Sequence, residues 1–511
     1  MTDGRGKVSI RRLATGVPGL DDVLGGGLPE LSFNLIVGGP GCGKTTLAHQ
    51  IMFANATLDR PGLYFTIVGE PPLKMLRYQQ QYSFFDPAKV NGLIRFSSLG
   101  AEVERGLPAV LESIVRQVEA VTPGFVIVDS FRSVLRVGSD ADPGGLPVQD
   151  FVQRLALHLT AWEATTFLVG EFPGPEADHP VFTVADSLIL LNQTTERNSV
   201  VRKIKIVKMR GQGDLPGLHT FRITRDGLKV FPRLPKPEAD PAQPDASPAI
   251  ASAQGRLSTG VRGLDEMLGG GIPRGYSTMV AGPSGSGKTV LAGQFIAEGV
   301  SRGEHGVIAV FEKHPTGYLR TTTLGDALGR MIRDGQVTMV YLRPLDLSVD
   351  ETLYELRETI ARTKAQRVAI DSLSGFEMAV SPGFREDFRE SLYRLVGVLT
   401  GLGVTVMMTL GIEDGYTELR LGPRESAFLT DALILQRYVE LDGALKRVMT
   451  VVKVRGSDHR RDLRFYEVDS RGLTVGDPIR GYHHGLLTAD PWSALDSRPR
   501  SPSGSSRRRQ S

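Results

Sequence analysis

A chain of 511 residues is longer than one ordinary core supports, so two or more domains are expected. Its 41% hydrophobic and 23% charged residues are those of soluble globular proteins, and no apolar run reaches the roughly 18–20 residues that span a bilayer; one cysteine excludes an intrachain disulfide and argues against a thiolate metal cluster. The formal net charge of +3 is carried by the last sixteen residues, with five Arg against one Asp, so the remaining body is near neutral and argues against nucleic acid as a partner.

From the N-terminus, MTDGRGKVSIRRL lacks the apolar segment of a secretory signal, which points to a cytoplasmic protein. The stretch TGVPGLDDVLGGGLP at 15–29 leads into the apolar run FNLIV, read as a strand. Next comes Gly38-Gly39-Pro40-Gly41-Cys42-Gly43-Lys44-Thr45-Thr46, which opens a helical segment. The runs LYFTI (63–67), FVIV (125–128) and TFLV (166–169) alternate with helical patterns, the signature of a mostly parallel sheet. Lys208-Met209-Arg210 comes near the end of this half.

Residues 232–255 hold six prolines among Ala, Asp and Ser, and read as a semi-extended linker. Beyond it the chain repeats itself. TGVRGLDEMLGGGIP at 259–273 answers residues 15–29, and GPSGSGKTVLA at 282–292 answers GGPGCGKTTLA at 38–48, both 244 positions apart. VAIDS around Asp371 answers VIVDS around Asp129, TDALILQ answers ADSLILL, and VKVRG answers VKMRG, all within two positions of the same spacing. The strands STMVA, VIAVF, RVAI and VTVMM follow, and the pair ALILQRYVEL and LKRVMTVVKV flanks Asp442-Gly443, a hairpin turn signal. The domains expected are therefore residues 1–231 and 256–490, joined by the linker at 232–255 and followed by a disordered Ser/Arg-rich tail at 491–511. Each domain is expected to be α/β, with a mostly parallel central sheet flanked by helices; a parallel sheet that closes on antiparallel strands resembles RecA-like P-loop domains.

The pattern G-x-x-x-x-G-K-[ST] occurs in both halves, the second time as Gly282-Pro283-Ser284-Gly285-Ser286-Gly287-Lys288-Thr289-Val290. Each copy follows a strand and opens a helix, the context in which glycines turn successive amides toward a phosphate and the helix dipole adds positive potential. Lys44 and Lys288 are expected on the β- and γ-phosphates of ATP, and Thr45 and Thr289 on Mg²⁺. Asp129 and Asp371, each ending an apolar strand, are the expected carboxylates that hold Mg²⁺ directly or through water. Hydrolysis needs a carboxylate that orients water. Glu312, at the end of the strand after the second phosphate helix, is that candidate; in the first half the nearby acid is Glu70, two places out of register and opposite His314. Cys42 is read as a small residue filling the turn.

These residues resemble the KaiC family of circadian-clock and clock-related ATPases, from about residue 9 to 477. The elements that carry the likeness are TGVPGLDDVLGGG, the paired phosphate loops, IDSL at 370–373, DALILQRYVEL and KVRGSDH at 453–459. The resemblance implies a hexamer of two stacked rings with ATP between subunits. It implies that Lys208, Arg210, Lys453 and Arg455 reach a neighbour's γ-phosphate, and it implies slow ATPase activity and, in the clock protein, serine/threonine autokinase activity in the C-terminal half. This sequence departs from the pattern where the clock protein has paired glutamates, here Val68-Gly69 and Glu312-Lys313. Where that protein has its phosphorylated Ser-Thr pair, this one has Ala427-Phe428, leaving Ser426 and Thr430 as the local candidate acceptors. The first copy also reads RGQGD where the second reads RGSDH.

The function expected is that of a regulatory ATPase, self-assembled, with signalling proteins as further partners. Two other readings compete with it. One is a RecA-type DNA-dependent ATPase of recombination or repair, and the other is an ATP-dependent scaffold without turnover.

Overall fold

The computed structural model describes residues 10–67, 72–130, 147–171, 181–196, 199–233, 255–342, 348–379, 388–412, 429–441 and 443–479. The chain divides into two compact units, Met1–Leu234 and Pro235–Ser511.

In the first unit β1 (Arg12–Leu13) and β2 (Leu28–Pro29) form a two-stranded ribbon. The main sheet is built from β3 (Phe33–Gly38), β4 (Gly62–Thr66), β5 (Ile94–Ser98), β6 (Phe125–Asp129), β7 (Thr165–Gly170), β8 (Ser187–Glu196), β9 (Ser199–Met209), β10 (His219–Thr224) and β11 (Gly227–Phe231). Their order is β11-β10-β9-β8-β3-β7-β6-β4-β5. The six strands from β8 to β5 are parallel, and β9, β10 and β11 are added antiparallel. The second unit follows the same plan with β12 (Arg256–Leu257) and β13 (Ile272–Pro273) as the ribbon. Its sheet holds β14 (Ser277–Gly282), β15 (Gly306–Val310), β16 (Val337–Tyr341), β17 (Arg367–Asp371), β18 (Thr405–Gly411), β19 (Ala432–Leu441), β20 (Ala444–Val454), β21 (Arg464–Asp469) and β22 (Gly472–Pro478). The order β16-β15-β17-β18-β14-β19-β20-β21-β22 reproduces the first sheet strand for strand.

Both faces of each sheet are covered, which is why its strands read as continuous apolar runs. In β3, Ile36 packs with Leu47 and Ile51 of the helix Lys44–Asn55, while Leu35 and Val37 face the opposite core, which includes Ile114 and Leu155. The phosphate-loop helix is also fastened to the last hairpin of its own unit. Gln50 accepts from Leu228 N (2.7 Å) and donates to Leu228 O (3.2 Å), and Gln294 does the same with Leu473 (2.8 and 3.4 Å). A buried side-chain amide satisfying one backbone N–H and C=O at once holds that hairpin as a ladder partner would.

The edge strand β5 (IRFSS) and the terminal hairpins mix polar with apolar residues and did not stand out in the sequence, whereas β16 (VTMVY) is an apolar run that reading the sequence missed. The first terminal hairpin did carry a turn signal, Asp226-Gly227, where Gly227 has φ +95°.

Candidate nucleotide sites

The parallel strands of each sheet end on one side, and there the chain turns through the glycine loop into a helix. Gly43 and Gly287 stand at the N-caps of the helices Lys44–Asn55 and Lys288–Ser301 with φ of +102° and +98°, a left-handed conformation that side chains disfavour. The loop lysines curl back over the loop. Lys44 Nζ donates to Gly39 O at 2.7 Å and stands 3.6 Å from Glu171; Lys288 Nζ donates to Gly282 O and Pro283 O, both at 2.7 Å. Cys42 is buried in the first loop, and burial pushes its thiol pKa up against the opposing charge of Lys44. In the second loop Ser286 fills that place and donates to Gln436 Oε1 at 3.0 Å.

Asp129 ends β6 beside the first loop. Its Oδ2 accepts from Thr45 Oγ1 and from the hydroxyl of Tyr64, each at 2.7 Å. Burial raises the Asp129 pKa, and the Tyr64 and Thr45 hydrogen bonds and the Lys44 charge oppose that rise. Asp371 ends β17 at the equivalent place, but its donor is different: Thr409 on β18 donates to Oδ1. Asp371 Oδ2 is buried and meets no hydrogen-bond partner of proper geometry among the described residues; nor does the hydroxyl of Tyr318, buried beside it. Each aspartate is followed by a cis peptide bond, to Ser130 and to Ser372.

Glu312 lies two residues past β15, exposed at the mouth of the second site. Ser372 Oγ donates to its Oε1 at 3.0 Å, which fixes the carboxylate next to Asp371. A Cβ at Gly375 would lie 2.6 Å from Glu312 Cγ, so a side chain there would displace Glu312 from this position. Glu70, Val68 and Gly69 lie outside the described residues, as do Ser426, Ala427 and Phe428. Thr430 is described and fully buried, so its hydroxyl is available for transfer only if the chain before β19 opens.

The cation pairs stand at the other end of the sheet. Lys208 donates to the carbonyls of Phe182 and Thr183 (both 3.1 Å), and Arg210 to Thr183 O (3.2 Å) and Asp186 (3.4 Å). Asp186 in turn accepts from Phe33 N at the first residue of β3, whereas the phosphate loop leaves from the last, Gly38. Five residues of strand at ~3.3 Å each put about 17 Å between the pair and the loop of the same unit. The second unit repeats this: Arg455 stands 3.6 Å from Asp431, which accepts from Ser277 N at the start of β14. Burial lowers the pKa of Lys208 and Lys453, and the adjacent Arg210 and Arg455 lower each further.

The family model for the KaiC ATPase matches residues 13–235 and, a second time, residues 257–479. The chain belongs to the KaiC family. Among similar proteins, the circadian clock oscillator protein KaiC of Rippkaea orientalis is 28% identical over 499 residues, covering 94% of this chain and 92% of its own length. The circadian clock oscillator protein KaiC 1 of Synechocystis sp. is 27% identical over 501 residues, with the same coverage. The circadian clock protein KaiC3 of the same species is 27% identical over 506 residues, 96% and 95% of the two lengths. The chain is therefore a P-loop ATPase of KaiC type, with two RecA-like domains in tandem. No helix among the described residues is long and apolar enough to cross a membrane.

Within this KaiC-family frame, reading the sequence missed Tyr64, Ser372, Thr409 and Tyr318. Tyr64 had a signal, a phenol in the middle of a mostly apolar strand, because a buried tyrosine O–H usually finds an acceptor. Thr409 and Tyr318 had none, since only the strand order brings β18 and the helix Pro315–Thr321 next to Asp371.

Proposed function

We propose that the chain hydrolyses Mg-ATP as a homohexamer in which each unit serves two sites, giving its phosphate loop to one nucleotide and its Lys/Arg pair to a neighbour's. The separation of about 17 Å between those two parts within one sheet carries this reading. A cation that far from its own loop acts on phosphate only when the next subunit brings a loop to it. Six subunits is the number that the family resemblance implies.

In each site the loop amides surround the β-phosphate, and Lys44 or Lys288 leaves its backbone carbonyls for phosphate oxygens. Thr45 with Asp129, and Thr289 with Asp371, fit Mg²⁺, which binds through one or two protein oxygens plus substrate phosphates; the unmatched buried Oδ2 of Asp371 supports that fit. The ion would neutralise charge that builds up on the transferring phosphoryl group. Glu312 orients and deprotonates the attacking water in the C-terminal site, held by Ser372. Glu70 is the corresponding candidate in the first. We further propose a cytoplasmic location and C-terminal autokinase activity, with Ser426 ahead of Thr430 as acceptor. Signalling proteins fit as partners better than nucleic acid does.

Light scattering with and without Mg-ATP, with ³²P followed into phosphate and into protein, tests the proposal. About six subunits and labelled phosphate are expected. A monomer at saturating ATP rejects the shared site, binding without turnover selects the scaffold, and stimulation by single-stranded DNA selects the recombination reading.

A further inference from the structure

We infer that Tyr64 is a positioning residue for the metal carboxylate of the N-terminal site, and of that site only; the inference rests on the reading of Asp129 as a Mg²⁺ carboxylate. Tyr64 lies in the middle of β4, fully buried, and its hydroxyl donates to Asp129 Oδ2 at 2.7 Å. Thr45 of the phosphate loop donates to the same oxygen. The carboxylate is thus held from the loop on one side and from a neighbouring strand on the other.

The second unit solves the same problem with a different residue on the opposite strand. The position of Tyr64 is occupied there by Ile308, since β4 and β15 align from Gly62 and Gly306. Asp371 is held by Thr409 on β18, and the first unit has Val169 of β7 at that place, directly opposite Asp129. Each strand-end aspartate thus takes a buried hydroxyl donor from a flanking strand, β4 for Asp129 and β18 for Asp371; the second buried tyrosine, Tyr318, lies beside Asp371 from a helix rather than from a strand. The tyrosine ring is packed as well: His49, on the phosphate-loop helix, lies tilted against it at 4.5 Å between ring centroids, and Phe96 at 5.4 Å. Gly293 stands where His49 does, so the second unit has no imidazole at this place.

A hydrogen bond to a buried carboxylate favours its charged form and fixes its direction. Tyr64 does both for Asp129 without touching nucleotide. Removing the hydroxyl is expected to weaken the metal-dependent part of nucleotide binding and leave the metal-independent part alone.

The test uses full-length protein carrying Lys288→Ala, which silences the C-terminal loop. Binding of a fluorescent ADP analogue is measured in EDTA and as Mg²⁺ is added. Tyr64→Phe is expected to raise the Mg²⁺ concentration at half-effect by at least about tenfold, with affinity in EDTA unchanged. His49→Leu disturbs the same packing without touching Asp129 and is expected to leave that midpoint in place. A midpoint unchanged or lower in Tyr64→Phe, an equal loss in EDTA, or an equal shift in His49→Leu overturns the inference. If the parent with Tyr64 intact binds no better with Mg²⁺ than in EDTA, the reading of Asp129 as a metal carboxylate fails first, and this inference with it.

Discussion

Glu304 accepts a hydrogen bond from Arg367 at 2.6 Å, and Arg367 is a fully buried guanidinium. Arg367 also donates to the carbonyls of Ser258 and Phe295 and lies over the Phe295 ring. The other oxygen of Glu304 pairs with Arg274 at 2.9 Å. The first unit has that second pair with its signs exchanged: Glu30 stands where Arg274 does and Arg60 where Glu304 does, 3.1 Å apart. Phe125 takes the place of Arg367, and Arg60 lies over its ring. One ion pair is thus shared by both units, but only the second has a buried charge that depends on it.

The two units are therefore expected to respond differently to loss of that pair. Glu304→Gln leaves Arg367 without its counter-charge and is expected to cost roughly 3–5 kcal/mol. Glu30→Gln breaks only a partly exposed pair and is expected to cost no more than about 1 kcal/mol. Denaturant unfolding of the full chain, followed by probes in each unit, measures both; equal losses would show that Arg367 does not need Glu304.

His49 predicts a pH-dependent stability confined to the first unit. Burial lowers its pKa to about 4 from the ordinary 6.5, with the Gln79 side chain opposing the fall. Between those values the unfolded chain binds a proton that the folded chain does not, so stability falls as pH drops from 6.5 toward 4. The full effect approaches roughly 3 kcal/mol. His49→Leu is expected to flatten the slope over that window, as read from thermal unfolding at a series of pH values. A slope that persists in the variant assigns it to other groups.

The duplicated frame was legible in the sequence because its landmarks are local. A phosphate loop is a fixed run of glycines, and Asp129 and Asp371 are the last residues of apolar strands, so pattern alone located them. The supports of those aspartates were not legible. Tyr64 and Thr409 reach them from opposite flanking strands, and which strand flanks which is decided by topology, not by spacing. The remoteness of Lys208 and Arg210 from their own loop was hidden for the same reason: it appears only once β8 runs parallel to β3 and returns Asp186 to the start of that strand.

Glu312 is expected to carry turnover in the C-terminal site without carrying binding. Glu312→Gln keeps shape and the Ser372 hydrogen bond but removes the charge that draws a proton from water. In a Lys44→Ala background, ATP hydrolysis is expected to fall by about 10²–10⁴-fold while nucleotide affinity holds. An unchanged rate would hand the role to another group.

The last prediction separates a cation pair that acts on its own subunit from one that acts on the next. Arg455 cannot reach the Lys288 loop of its own sheet if both units keep the described fold, because β14 lies between them along its length. Take two full-length variants, both carrying Lys44→Ala: one adds Lys288→Ala and so has no working C-terminal loop, the other adds Arg455→Ala and so has no donor. Each alone is expected to be nearly inactive. Subunits of the two kinds mixed in equal amounts and reassembled with ATP form some interfaces in which an intact loop meets an intact donor. Random placement in a closed ring makes these about a quarter of all interfaces. Recovery of about a quarter of the activity of the Lys44→Ala parent is therefore expected. If the pair acted within its own subunit, no mixture could bring an intact loop and an intact donor together, and the mixed rings would stay as inactive as their parts.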